Sequence, residues 1–157
     1  MQYQWTQENR KEIEDILTRY PTKQAALLPV LHVAQKEFGW ISSEAMELVA
    51  QELNLSTAHV YGVVTFYTMY NRQPVGKYHL QVCRTLSCAM MGSQKIVDYL
   101  KKKLGIELRE TTPDKKFTLS EVECLASCGT APAMMVNEKY FENLTEEEMD
   151  KILASLE

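Results

Sequence analysis

At 157 residues and 45% hydrophobic content, the chain can bury one sizeable core or two smaller ones. Its formal charge of −4 argues against a phosphate-binding surface, because nucleic-acid affinity rests on clustered Lys and Arg, so no nucleic-acid partner is expected. The longest apolar stretches, Ala25 to Leu31 and Val60 to Tyr67, fall short of the about 20 residues of a helical span, and no direct membrane insertion is expected.

The opening run Met1-Gln2-Tyr3-Gln4-Trp5 lacks the charged-then-apolar layout of a secretory signal, so the chain is expected in a reducing cytoplasm. From there to about residue 70 the sequence reads as helical. Ile13, Ile16, Leu17 and Tyr20 recur at helical spacing, and Tyr20-Pro21 ends that segment because a residue before proline avoids the helical region. A second helix places Leu27, Leu28, Leu31, Ala34 and Phe38 on one side and stops at Gly39, with Pro29 either in its first turns or at a kink. Ser42 or Ser43 is expected to cap a third helix running to about Leu53, and Ser56 or Thr57 a fourth. The fourth, Ala58 to Tyr67, contains no Arg or Lys, which argues against a DNA-reading helix.

The run Asn71-Arg72-Gln73-Pro74-Val75-Gly76 reads as a linker, dividing a helical domain, 1–72, from a second domain, 73–157. Tyr78, Leu80 and Val82 then alternate with His79, Gln81 and Cys83 as in a strand. Ser93 is the expected cap of a helix with Ile96, Val97, Leu100 and Leu104 on its apolar face, Lys101 to Lys103 in its last turn and Gly105 beyond it. Phe117 to Cys124 reads as a second strand whose imperfect alternation leaves room for a bulge, and a hairpin turns about Asn137-Glu138. Thr145 with Glu148 opens a final helix with Met149, Ile152 and Leu153 facing inward. The order describes a small α/β sandwich after a helical domain.

The chain's four cysteines fall in two pairs, Cys83-x4-Cys88 and Cys124-x3-Cys128, with 35 residues between the pairs. Grouped thiols in a reducing compartment bind metal more often than they form disulfides. Each pair begins near the end of a strand, so neighbouring strands would carry both to one edge of the sheet, where one rhombic cluster fits with each pair serving one iron. A structural zinc site also takes four thiolates, and spacing alone does not decide between the two metals. The flanking residues favour iron and sulfur. A [2Fe–2S] cluster carries negative charge that backbone N–H groups must approach closely, and Ser87, Ala89, Gly92, Ala126, Ser127, Gly129, Thr130 and Ala131 are small enough to permit it. Met90, Met91, Met134 and Met135 read as apolar filling. Arg84 either offsets cluster charge or is an ordinary exposed arginine, and Ala131-Pro132 is a candidate cis-proline turn.

The spacing Cys-x4-Cys, 35 residues, Cys-x3-Cys-Gly-x-Ala-Pro follows Ala25-Ala26-Leu27-Leu28-Pro29-Val30-Leu31, Phe38-Gly39-Trp40-Ile41 and Gly62-Val63-Val64-Thr65-Phe66-Tyr67. In these motifs the chain resembles the family of small [2Fe–2S] subunits of respiratory complex I, the NADH:quinone oxidoreductase, from about residue 8 to the last helix. The resemblance implies an α+β chain, an N-terminal helical bundle followed by a thioredoxin-like [2Fe–2S] ferredoxin domain. It assigns Cys83, Cys88, Cys124 and Cys128 as ligands of one [2Fe–2S] cluster, and no catalytic residue. It also implies docking on a flavoprotein subunit that binds FMN and NADH and holds its own [4Fe–4S] cluster, with the complex at the inner face of the cell membrane. The corresponding subunits of NAD-linked hydrogenases and formate dehydrogenases have a similar architecture. A zinc-stapled interaction module is the remaining alternative from the residues themselves. The chain contains no Gly-x-Gly-x-x-Gly for a dinucleotide.

Overall fold

A computed structural model describes residues 3–156; the reading of Met1 and Gln2 as part of a signal-free N-terminus, and the last residue of the second expected domain, lie outside them. The backbone divides into two compact units, Met1–Pro74 and Val75–Glu157.

The first unit holds four helices, α1 (Gln7–Arg19), α2 (Leu27–Phe38), α3 (Ser43–Leu53) and α4 (Thr57–Phe66). Three begin at a hydroxyl that accepts the N–H three residues on: Thr6 from Asn9 at 3.2 Å, Ser42 from Ala45 at 3.1 Å and Ser56 from His59 at 3.2 Å. Pro29 lies in the first turn of α2, where its missing N–H costs no helical bond. That helix stops at Gly39, whose φ of 78° is the left-handed conformation glycine adopts without strain. Ile13, Val30, Leu31, Ile41, Val49, Leu53 and Val60 form a dry interior, each large aliphatic side chain contributing about 1.5–3 kcal/mol by its burial. The chain leaving α4 is tied back to α2: Tyr70 Oη donates to Leu28 O at 2.9 Å, and Gln35 accepts the Asn71 N–H at 2.7 Å.

The second unit is built on a four-stranded sheet of order β2-β1-β3-β4, from β1 (Tyr78–Cys83), β2 (Phe117–Val122), β3 (Met134–Val136) and β4 (Lys139–Phe141). Strands β1 and β2 are parallel, with Leu80 opposite Leu119 and Cys83 opposite Val122, whereas β3 runs antiparallel to β1 and makes the hairpin with β4. The parallel pair needs a crossover, which α5 (Leu86–Met90) and α6 (Ser93–Leu104) supply. Helix α7 (Glu146–Ser155) follows β4, and Ile96, Leu100, Leu80, Leu119, Met134 and Met149 close the core between helices and sheet.

Three details differ from the sequence reading. Strand β2 ends at Val122 rather than Cys124. Gly92, at φ 94°, occupies the cap position of α6, and Ser93 is its buried first residue, because the chain turns out of α5 through a left-handed conformation that serine would adopt only with strain. Helix α5 has no counterpart among the expected elements; its five residues are too few to show a period.

Candidate metal centre

The sheet register brings the two cysteine-bearing segments to one end of the sheet. Cys83 is the last residue of β1, and the following Arg84 N–H donates to Val122 O at 3.0 Å, so the chains leaving the two parallel strands start level with each other. One enters α5, which carries Cys88; the other runs through Cys124 to a short 3₁₀ turn, Cys128–Thr130. On the opposite side of Cys83, its N–H donates to Ala133 O at 3.0 Å, just after the cis Ala131-Pro132 bond. Cys83 and Cys88 are buried with Ala131 and Ala133 and with the partly covered Leu125, whereas Cys124 and Cys128 are exposed.

All four are free thiols. Cys83 and Cys88 are in hydrogen-bonding contact, and Cys128 is close enough to Cys88 for its charge to oppose ionisation there. Cys124 stands on the same loop as Leu125, whose N–H reaches Cys83. Among the described residues no three His, Cys, Asp or Glu side chains converge on a single point.

The backbone around the sulfurs is the more informative part. Burial by itself raises the Cys83 thiol, but the N–H groups of Leu125 and Thr85, a hydrogen bond from Cys88 and the Thr85 hydroxyl together bring it below its ordinary value. Cys88 is raised, first by burial and then by donating to Cys83, against a lowering from the Ala133 N–H. Ala126, held at φ 57°, donates its N–H to Cys124 Sγ at 3.2 Å. Four backbone N–H groups from three separate segments thus point at cysteine sulfur. A donor set of this kind fits a thiolate-bound, negatively charged iron–sulfur group, whose charge needs N–H partners at sulfur.

The wider surroundings add groups that the motifs do not show. Arg84 is not a bare cation: its guanidinium is paired with Glu123, the residue before Cys124, through both Nε, at 3.0 Å, and a closer Nη2 contact. Glu142, which no motif points to, braces the second cysteine loop by accepting from the Ser127 hydroxyl and from Thr130 Oγ1 at 2.7 Å. These two bonds, Ser127 first, hold its carboxyl below the usual range. Met134 is core, but Met90 and Met91 are exposed at 78% and 63%, so they do not fill the interior. His79 is buried and bonded to Ser120 Oγ at 2.8 Å, and His32 stacks near Tyr70.

A family model described as a thioredoxin-like [2Fe-2S] ferredoxin matches residues 13–157. Curated relatives include the NADH-quinone oxidoreductase E subunit of Rickettsia felis, 46% identical over 96% of this chain and 92% of the relative. The E 2 subunit of the Rhizobium meliloti NADH-quinone oxidoreductase is 44% identical over 93% of this chain and 87% of the relative. Among solved structures, an NAD+-reducing [NiFe]-hydrogenase chain superposes with a TM-score of 0.73 over 83% of this chain at 18% identity, a likeness of fold. This chain covers 22% of that one.

Proposed function

The chain belongs to the thioredoxin-like [2Fe–2S] ferredoxin family, in the branch of the NADH-quinone oxidoreductase E subunits, and from that premise we propose that it carries one [2Fe–2S] cluster and moves single electrons within an NADH:quinone oxidoreductase. Cys83, Cys88, Cys124 and Cys128 hold the cluster. The observation that carries this reading is the convergence of N–H donors from Thr85, Leu125, Ala126 and Ala133 on three of those sulfurs. A [2Fe–2S] cluster takes up one more negative charge on reduction, which N–H dipoles at sulfur stabilise, whereas a zinc site has no reduced state to stabilise.

When bound, the cluster supplies a one-electron couple. The residues around it exclude water from Cys83 and Cys88, place N–H dipoles against the added charge, and leave one side open toward a partner. Leu86 and Met90 of α5, with Met91 just after it, are large, apolar and exposed beside Cys88, and in the helical unit Tyr61 and Phe66 of α4 are likewise exposed. Apolar side chains presented in this way suit docking on another protein. The partner is the FMN- and NADH-binding flavoprotein subunit with its own [4Fe–4S] cluster, so NADH oxidation takes place there and this chain has no active site of its own. No helix among the described residues is long and apolar enough to cross a membrane, and attachment to the inner face of the cell membrane is through the complex. The corresponding place in an NAD-linked hydrogenase or formate dehydrogenase is the second reading, favoured by the fold likeness alone.

The test is electron paramagnetic resonance of the anaerobically purified protein with iron and zinc analysis. The expected result is a silent oxidised state, a rhombic spin-half signal after dithionite reduction, and two irons per chain. Zinc without iron would overturn the assignment, and the protein that co-purifies separates the oxidoreductase from the hydrogenase reading.

A further inference from the structure

Thr85 sits where a helix cap belongs and does not act as one. It precedes α5 with extended backbone angles, φ −76° and ψ 164°, and its carbonyl accepts the Ala89 N–H at 2.9 Å, as a cap residue's should. Its hydroxyl, however, makes no cap bond. At Thr6, Ser42, Ser56 and Thr145 the hydroxyl takes the N–H three residues on. The corresponding N–H after Thr85 is that of Cys88.

The side chain is turned away from this N–H into the cysteine pocket. There Thr85 Oγ1 is shielded from solvent and has no partner at full hydrogen-bond geometry, one of three such side-chain atoms among the described residues, although it is close enough to the Cys83 sulfur to help lower that thiol. A buried hydroxyl without a full partner carries an uncompensated desolvation cost, so a protein that forgoes the available cap bond to bury it has left a donor for something else. The side chains that wall the pocket, those of Cys83, Cys88, Ala131, Ala133 and part of Leu125, carry no oxygen acceptor. The Cys83 sulfur lies within the hydroxyl's electrostatic reach, and the Thr85 N–H already points to that same atom.

We propose that Thr85 is a hydrogen-bond donor to cluster sulfur, its hydroxyl completing its bond only when the cluster is present and raising the cluster's reduction potential. The proposal rests on the cluster assignment above. A donor at sulfur stabilises the reduced state more than the oxidised one, because the reduced cluster carries one more negative charge. The N–H donors are fixed in the backbone, whereas this one is set by a side chain and can be removed without disturbing the fold.

The experiment compares the full chain with Thr85→Val, which keeps the shape and removes the donor, and Thr85→Ser, which keeps the donor. Iron and sulfide content are measured first, then the midpoint potential by optical titration, then the melting temperature of the iron-free proteins. The expected outcome is two irons in all three proteins and a potential in Thr85→Val lower by about 59 mV, a tenfold change in the one-electron equilibrium. Thr85→Ser should lie close to the parent. Iron-free Thr85→Val should melt no lower than the parent, since it loses an unpartnered hydroxyl rather than a cap.

An intact cluster with an unchanged potential in Thr85→Val overturns the role assigned to Thr85 and leaves the cluster assignment standing. Absence of iron from the parent protein overturns both. If Thr85→Val melts lower even without iron, the residue is structural and the proposal is wrong.

Discussion

Arg84 and Glu123 stand one residue after Cys83 and one residue before Cys124, and they grip each other across the ends of β1 and β2, with Nε to Oε1 at 3.0 Å. The pair links the two cysteine-bearing segments while cancelling its own charge beside the sulfurs. Both side chains are more than half exposed, so its value lies in charge placement rather than in fold stability. Arg84→Gln should lower the cluster potential by leaving a bare carboxylate, and Glu123→Gln should raise it by leaving a bare guanidinium. The double variant should return close to the parent, and a redox titration of all four proteins measures the coupling. Shifts of the same sign in both single variants would contradict the pairing.

Cys124 is exposed, and its sulfur holds only a short local turn through the Ala126 N–H. Its loss should therefore matter little to the bare polypeptide and greatly to the cluster. In Cys124→Ala one iron would lack a thiolate, and iron content and the reduced-state signal should fall to a small fraction of the parent, while the iron-free protein melts within a degree or two of it, as expected for an exposed substitution within about 0.5 kcal/mol. Unchanged iron would remove Cys124 from the ligand set.

The helical unit is legible in the sequence because its information is local. Hydroxyls at Ser42 and Ser56, Pro29 in a first turn and Gly39 after a last one are each read from a few neighbouring residues. Strand β1 and the hairpin are visible in the same way, through alternation and the Asn137-Glu138 turn. What stays hidden is long-range or very short. The Glu142 contacts to Ser127 and Thr130 span 15 and 12 residues and leave no periodic trace. Nothing beside Arg84 in the chain separates a charge-offsetting role from an ordinary surface one, because Glu123, which decides it, is 39 residues away. Thr85 is hidden for the opposite reason: it looks like any helix cap, and only the unused hydroxyl separates it from one.

Gly76 reads as a linker glycine in sequence, but its backbone lies against the start of β2. A Cβ there would fall 2.9 Å from the carbonyl carbon and oxygen of Lys116 and from the carbonyl carbon of Phe117, all backbone atoms that cannot swing aside. Its N–H also donates to Thr118 Oγ1 at 2.6 Å. Gly76→Ala should destabilise the sheet unit by about 1–3 kcal/mol, the usual range for overpacking. Gly62, inside α4 with open space at its Cβ position, gives the opposite expectation: Gly62→Ala should stabilise by about 0.5–1 kcal/mol. Urea titrations of both variants check the contrast, and equal effects would mean that local space does not decide them.

His79 lies on β1, four residues before Cys83, with its ring buried and Nε2 against Ser120 Oγ at 2.8 Å. Burial pushes its pKa from 6.5 down to about 4, so the ring is neutral in the folded protein where the unfolded chain would already be charged. Between those two values the unfolded state binds more protons, and stability rises with pH. The contribution is fully present above about pH 6.5 and is lost as pH falls toward 4, on the order of 3 kcal/mol in all. His79→Gln has no proton to take up in this window. Urea midpoints at pH 7.5 and 5.0 should therefore fall more in the parent than in His79→Gln, any acid lability of the cluster being common to both. Equal falls would show that the histidine is solvated enough to charge within the fold, and would remove it as the source of acid sensitivity in the strand that leads to the proposed cluster ligands.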